Sequence, residues 1–131
     1  MTRFQTLALG TAGVLATGIG AALTLAPDAF LTGSGIALGP DPSLLSELRA
    51  PGAGLAGLGM LMLVGLWRDA LRPMALIAAA IVYLGYPLGR LIGIAMDGLP
   101  SSEILAALAV EIAIALWLVG AFLPRRVAHP A

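Results

Sequence analysis

No charged side chain stands between Arg3 and Asp28, and none between Arg49 and Arg68. Two further apolar runs, from Arg72 to Asp97 and from Glu103 to Arg125, carry one internal charge each, Arg90 and Glu111. A hydrophobic helix of ~20 residues crosses the hydrocarbon core of a bilayer. Lipid offers no partner to open backbone groups, so each run must close its hydrogen bonds within itself. The pattern predicts an all-α integral membrane four-helix bundle, a single transmembrane domain over residues 1–131 with helices near 4–25, 44–67, 73–96 and 102–123. The connections are too short for a soluble domain. Composition agrees: 60% of the 131 residues are hydrophobic and 11% charged, far too apolar for a water-facing surface.

Two boundaries have alternative readings. The first run could be a cleaved signal peptide, with Arg3, an apolar core and small residues before Pro27. Its core exceeds the ~7–15 residues of a secretory core region, which favours a spanning helix. The second helix starts either near Ser43 or at Pro51, where proline suits the first helical position.

Arginine placement sets an expected orientation, because cytoplasmic loops retain positive charge. Arg3 precedes the first helix, Arg68 and Arg72 flank the second connection, and Arg125 and Arg126 follow the fourth helix. Asp28, Asp41, Asp97 and Glu103 occupy the other two connections. Both termini are therefore expected in the cytoplasm and the loop from Pro27 to Ser43 outside, with Trp67 as an aromatic anchor at the inner interface. Abundant Ala, Gly, Leu and Arg with no Lys suits a GC-rich bacterial genome, hence a bacterial inner membrane.

An ionisable side chain at membrane depth costs at least ~2.5–3.5 kcal/mol and marks a structural or functional site. Arg90 lies about 9 Å below the outer end of the third helix, and Glu111 about 12 Å down the fourth, at 1.5 Å per residue. Arg49 lies at similar depth in the second helix if that helix begins near Ser43, with Glu47 just above it. Glu47, Arg49, Arg90 and Glu111 are thus expected to meet in the outer half, capped by Asp97. Tyr83, Tyr86, Arg90, Gly93 and Asp97 follow the rhythm of one helix face, and a buried phenol needs a partner. Glu103 is read as an N-terminal dipole partner of the fourth helix. Gly85, Gly89 and Gly93 on the third helix, with Gly52, Gly54, Gly57 and Gly59 on the second, are expected at helix–helix contacts. Pro51 and Pro87 would leave the carbonyls of Glu47 and Tyr83 without helical donors.

Several function classes drop out. Net charge is zero, so no basic patch suggests a nucleic-acid partner. Without cysteine there is no disulfide, thiol nucleophile or Cys-ligated metal. The single histidine, His129, reads as a solvated tail residue, and no metal site is expected. The GxG patterns at Gly18, Gly52 and Gly57 lie in apolar helices with no preceding strand, so no nucleotide cofactor is expected. Tyr86, Asp97 and Glu111 are the sole acid–base candidates, and no catalytic residue set emerges.

The residues around the charges resemble a known family. Glu47-Leu48-Arg49-Ala50 is similar to its opening motif, Leu88-Gly89-Arg90-Leu91 with Asp97-Gly98-Leu99-Pro100 to its second, and Glu111 to its acidic residue in the fourth helix. This is the bacterial domain of unknown function 4345, small proteins with four predicted membrane helices. The resemblance implies fold and location and brings no activity. Pro51-Gly52-Ala53-Gly54 departs from it, standing where the family tends to carry an aromatic residue before two glycines. The four-helix plan is also similar to DoxX-like membrane proteins, in architecture alone.

Two functions are expected from these residues. The first is a structural or accessory membrane protein whose Arg–carboxylate cluster locks helices in register, with the bilayer and other membrane proteins or a second copy as partners. The second is an outward pocket formed by Arg49, Tyr86, Arg90 and Glu111 for an anionic small molecule or lipid headgroup.

Overall fold

The computed structural model describes residues 1–123. The arginines of the tail, Arg125 and Arg126, and His129 lie outside the described residues. The chain is all-α: α1 Arg3–Leu25, α2 Pro27–Gly33, α3 Pro42–Trp67, a 3-10 turn at Asp69–Leu71, α4 Arg72–Asp97 and α5 Ser102–Phe122. The four long helices are each long and apolar enough to cross a membrane.

Local chemistry sets most of the ends. Thr2 and Gln5 close a capping box at the start of α1, with the Gln5 amide donating to the Thr2 hydroxyl and the Thr2 amide to Gln5 Oε1. That satisfies two of the donors a helix start leaves open. α3 begins at Pro42 behind Asp41, whose carboxylate accepts from the Ser43 amide at 3.0 Å. Pro51 is therefore inside α3, and the reading that starts the helix near Ser43 holds. α4 stops at Asp97 because Gly98 takes φ +97°, a conformation glycine adopts without the steric penalty of a Cβ. Pro100 then cannot donate to a continuing helix. The short α2 was not expected: Pro27 at its first turn and a bond from Ser101 Oγ to the Ser34 carbonyl, 3.1 Å, tie this connection to the start of α5.

The helices run antiparallel in sequence. α3 packs along α1 and α4, while α5 packs on α4 and α1. Among the described residues no Cα of α5 comes within 8 Å of one in α3. The densest seam lies between α1 and α3. Gly20 abuts the backbone of Ala56 and the Gly52 carbonyl, and Gly59 abuts the backbone of Ala16 and Thr17. With Ala12 and Ala16 buried beside them, the two backbones approach as small residues permit in membranes. Gly65 meets Ala75 where α3 faces α4.

Of the glycines expected at helix contacts, Gly52 and Gly59 lie against α1, and the others have no packing partner among the described residues. A Cβ added at Gly54, Gly57, Gly85, Gly89 or Gly93 would meet nothing within 4 Å. Gly52 and Gly59, seven residues apart, share one side of α3; Gly54 and Gly57 are rotated away from it. The α4 contact face is instead Ala75, Ala78, Ala79, Val82 and Tyr83.

Candidate functional site: an arginine–glutamate clasp between two helices

Arg90 and Glu111 face each other across the contact of α4 and α5. Arg90 Nε donates to Glu111 Oε1 and Oε2 at 3.1 and 2.9 Å, and Nη2 donates to Oε1 at 3.0 Å. The side chains are 27% and 15% exposed, so both carboxylate oxygens are held in a largely covered, charge-assisted contact. Helical geometry puts them there: Ile94, Arg90, Pro87 and Tyr83 lie three or four residues apart along α4, and Glu111, Ile114 and Leu118 do so along α5.

Open clefts flank the pair. One, of about 520 Å³, is bordered by Ile81, Gly85, Tyr86, Gly89 and Arg90. The other, of about 350 Å³, is bordered by Arg90, Gly93, Ile94, Asp97 and Ile104. Tyr86 and Asp97 thus stand beside Arg90 without bonding to it among the described residues. Tyr83, two turns from Arg90 along α4, is buried and donates its hydroxyl to the Ala12 carbonyl of α1 at 2.7 Å. The phenol has the partner its burial demands.

The larger expected cluster does not assemble, and no buried group of arginines and carboxylates is present among the described residues. Glu47, Arg49 and Asp97 are exposed. Arg49 Nη1 donates to the Thr24 carbonyl and, at 3.3 Å, to the Leu25 carbonyl. These carbonyls end α1, where backbone acceptors lack helical donors and the helix dipole attracts a cation. The depth arithmetic placed Arg49 level with Arg90, but depth carries no azimuth, and the backbone of α3 does not come close to the helix that bears Glu111. Glu103 lies in the first turn of α5, at the position expected for a dipole partner.

Sequence reasoning missed the Arg49 cap, the Gln5 contact and the packing glycines of α1, Gly13 and Gly20. Gln5 Nε2 donates to the Ala121 carbonyl at 2.9 Å and so joins the start of α1 to the end of α5. Long-range carbonyl acceptors leave no signal in sequence. Glycine seven-residue spacing does leave one, at Gly13 with Gly20 and at Gly52 with Gly59.

Neither a curated protein nor a solved structure matches the chain. The family model described as domain of unknown function DUF4345 matches residues 4–122. That stretch takes in all four long helices, the Arg49 and Arg90 motifs and Glu111, and the chain belongs to this family.

Proposed function

We propose that the chain spans a bacterial inner membrane as a four-helix bundle, termini inside, and serves as a non-catalytic structural or accessory component. In this reading Arg90 and Glu111 are a clasp that fixes α5 on α4. The observation that carries it is the direct contact of the two groups: three charge-assisted bonds leave neither Glu111 oxygen without a donor. α5 needs such a clasp, because Leu108, Ile114 and Leu118 alone are buried along its 21 residues. Its remaining apolar surface and the uncovered glycine side of α4 are suited to lipid, to other membrane proteins or to a second copy.

Removing one partner of a covered ion pair leaves an uncompensated charge and costs about 3–5 kcal/mol, whereas replacing both by apolar groups is often neutral. Arg90→Leu is expected to abolish accumulation in the membrane, and Arg90→Leu with Glu111→Leu to restore it, by quantitative immunoblot of membrane fractions. A double variant that accumulates normally but loses stabilisation by phosphate or acetate seen in the native chain would sink the structural reading.

A pocket for an anionic small molecule or headgroup is the second reading. It draws on the clefts beside Arg90, whose Nη1 has no protein acceptor among the described residues.

A further inference from the structure

A separate groove of about 280 Å³ opens between α4 and α5, away from the Arg90 clasp. Leu76, Ala79, Tyr83, Ala115, Phe122 and Leu123 are among the residues that line it. It runs from Leu76 to Leu84, about 12 Å at 1.5 Å per residue. One leaflet of a ~30 Å hydrocarbon core is of similar depth. A helix with its side chains is about 10–12 Å across and does not fit a space of this volume and length. A single alkyl chain does.

The two ends of the groove differ in chemistry. At the deep end Tyr83 has already donated its hydroxyl proton to Ala12, so no free donor awaits a polar head there. The shallow end lies where α5 finishes and α4 starts. This is the arginine-rich end of the molecule, with Arg3, Arg68 and Arg72 against the single acid Asp69. Arg72 precedes Leu76 by one helical turn and so stands on the same side of α4 as the groove, just beyond its lining; its Nη2 donates to the Asp69 carboxylate, which a headgroup would join or replace. At the opposite end five acids, Asp28, Asp41, Glu47, Asp97 and Glu103, accompany one arginine, Arg49.

We propose that the α4–α5 groove binds one acyl chain of an anionic phospholipid from the leaflet at the arginine-rich end, with Arg72 as a headgroup contact. The proposal rests on the membrane-spanning reading above. It differs from the second reading in place, lying at the other end of the helices, and in requiring an alkyl chain as well as a negative charge.

The full chain, reconstituted in phosphatidylcholine vesicles containing a minor share of phosphatidylglycerol, is first floated on a density gradient. It is then released into mild detergent for native mass spectrometry. One retained phosphatidylglycerol per chain is expected, enriched at least about tenfold over phosphatidylcholine. Ala80→Phe, which fills the groove from an exposed lining position, should lower retention about tenfold, while Ile77→Phe on the neighbouring exposed surface should not. Arg72→Gln should keep a lipid but lower the anionic preference about fivefold, since one arginine near a membrane surface is worth about 1 kcal/mol toward anionic lipid. All variants are compared at equal melting temperature in detergent, and Arg72→Gln carries the test if Ala80→Phe does not fold. Equal retention by Ala80→Phe, no preference for phosphatidylglycerol, or a second copy in place of lipid would overturn the proposal. Failure to float would overturn the membrane reading and the proposal with it; flotation without retained lipid overturns the proposal alone.

Discussion

Glycine carries two different meanings in this chain, and position decides between them. At Gly59 a methyl group would run into the backbone of Thr17 and Ala16, and overpacking of this kind costs about 1–3 kcal/mol. At Gly57, two residues earlier, a methyl group would meet nothing within 4 Å, and alanine would gain up to about 1 kcal/mol of helix propensity. Gly59→Ala should therefore lower the thermal unfolding temperature in detergent, while Gly57→Ala should hold or raise it. Equal behaviour of the two would show that the α1–α3 seam is looser than its geometry implies. The charged residues divide similarly. Arg90 is held by a carboxylate on another helix, and Arg49 by the last carbonyls of α1, although both looked alike as arginines near apolar runs.

At the scale of elements, the helices are unequally held. α1 and α3 meet backbone to backbone through Gly13, Gly20, Gly52 and Gly59, so their seam has few ways to open. α5 is held by three buried side chains, the Arg90–Glu111 contact and the bond from Gln5 to Ala121. Segments with few buried contacts open locally at lower free energy. In hydrogen–deuterium exchange α5 should exchange before α1 and α3, and Glu111→Gln should speed α5 further while leaving the α1–α3 seam unchanged. Uniform exchange across the four long helices would contradict this ranking. The α2 segment is fastened mainly at its ends, by its proline start and by the Ser101–Ser34 contact.

For the molecule as a whole, charge is sorted by end. Arg3, Arg68 and Arg72 gather where α1 and α4 start and α3 finishes, and five of the seven acids gather at the opposite end. Under the proposed orientation, the chain lacks native cysteine, so single probes can be placed without background. A membrane-impermeant maleimide applied to spheroplasts should label Ser43→Cys and spare Ala70→Cys. The reverse pattern would invert the topology.

The sequence by itself determined the number, type and approximate ends of the long helices, because a long charge-free run has few physical alternatives in lipid. It also brought Arg90 and Glu111 to one depth, though within a larger group that included Glu47, Arg49 and Asp97; the structure reduces that group to a direct pair. Which glycines touch, and whether Arg49 joins that pair, were decided by tertiary structure. Each depends on the rotation of one helix against another, set by summed packing across the whole seam, and a periodicity read along one strand of sequence carries no such angle. The acyl-chain groove is of the same kind. Its walls come from residues some forty positions apart, Leu76 to Leu84 and Ala115 to Leu123, and it exists only because α5 leans on α4 without closing over it.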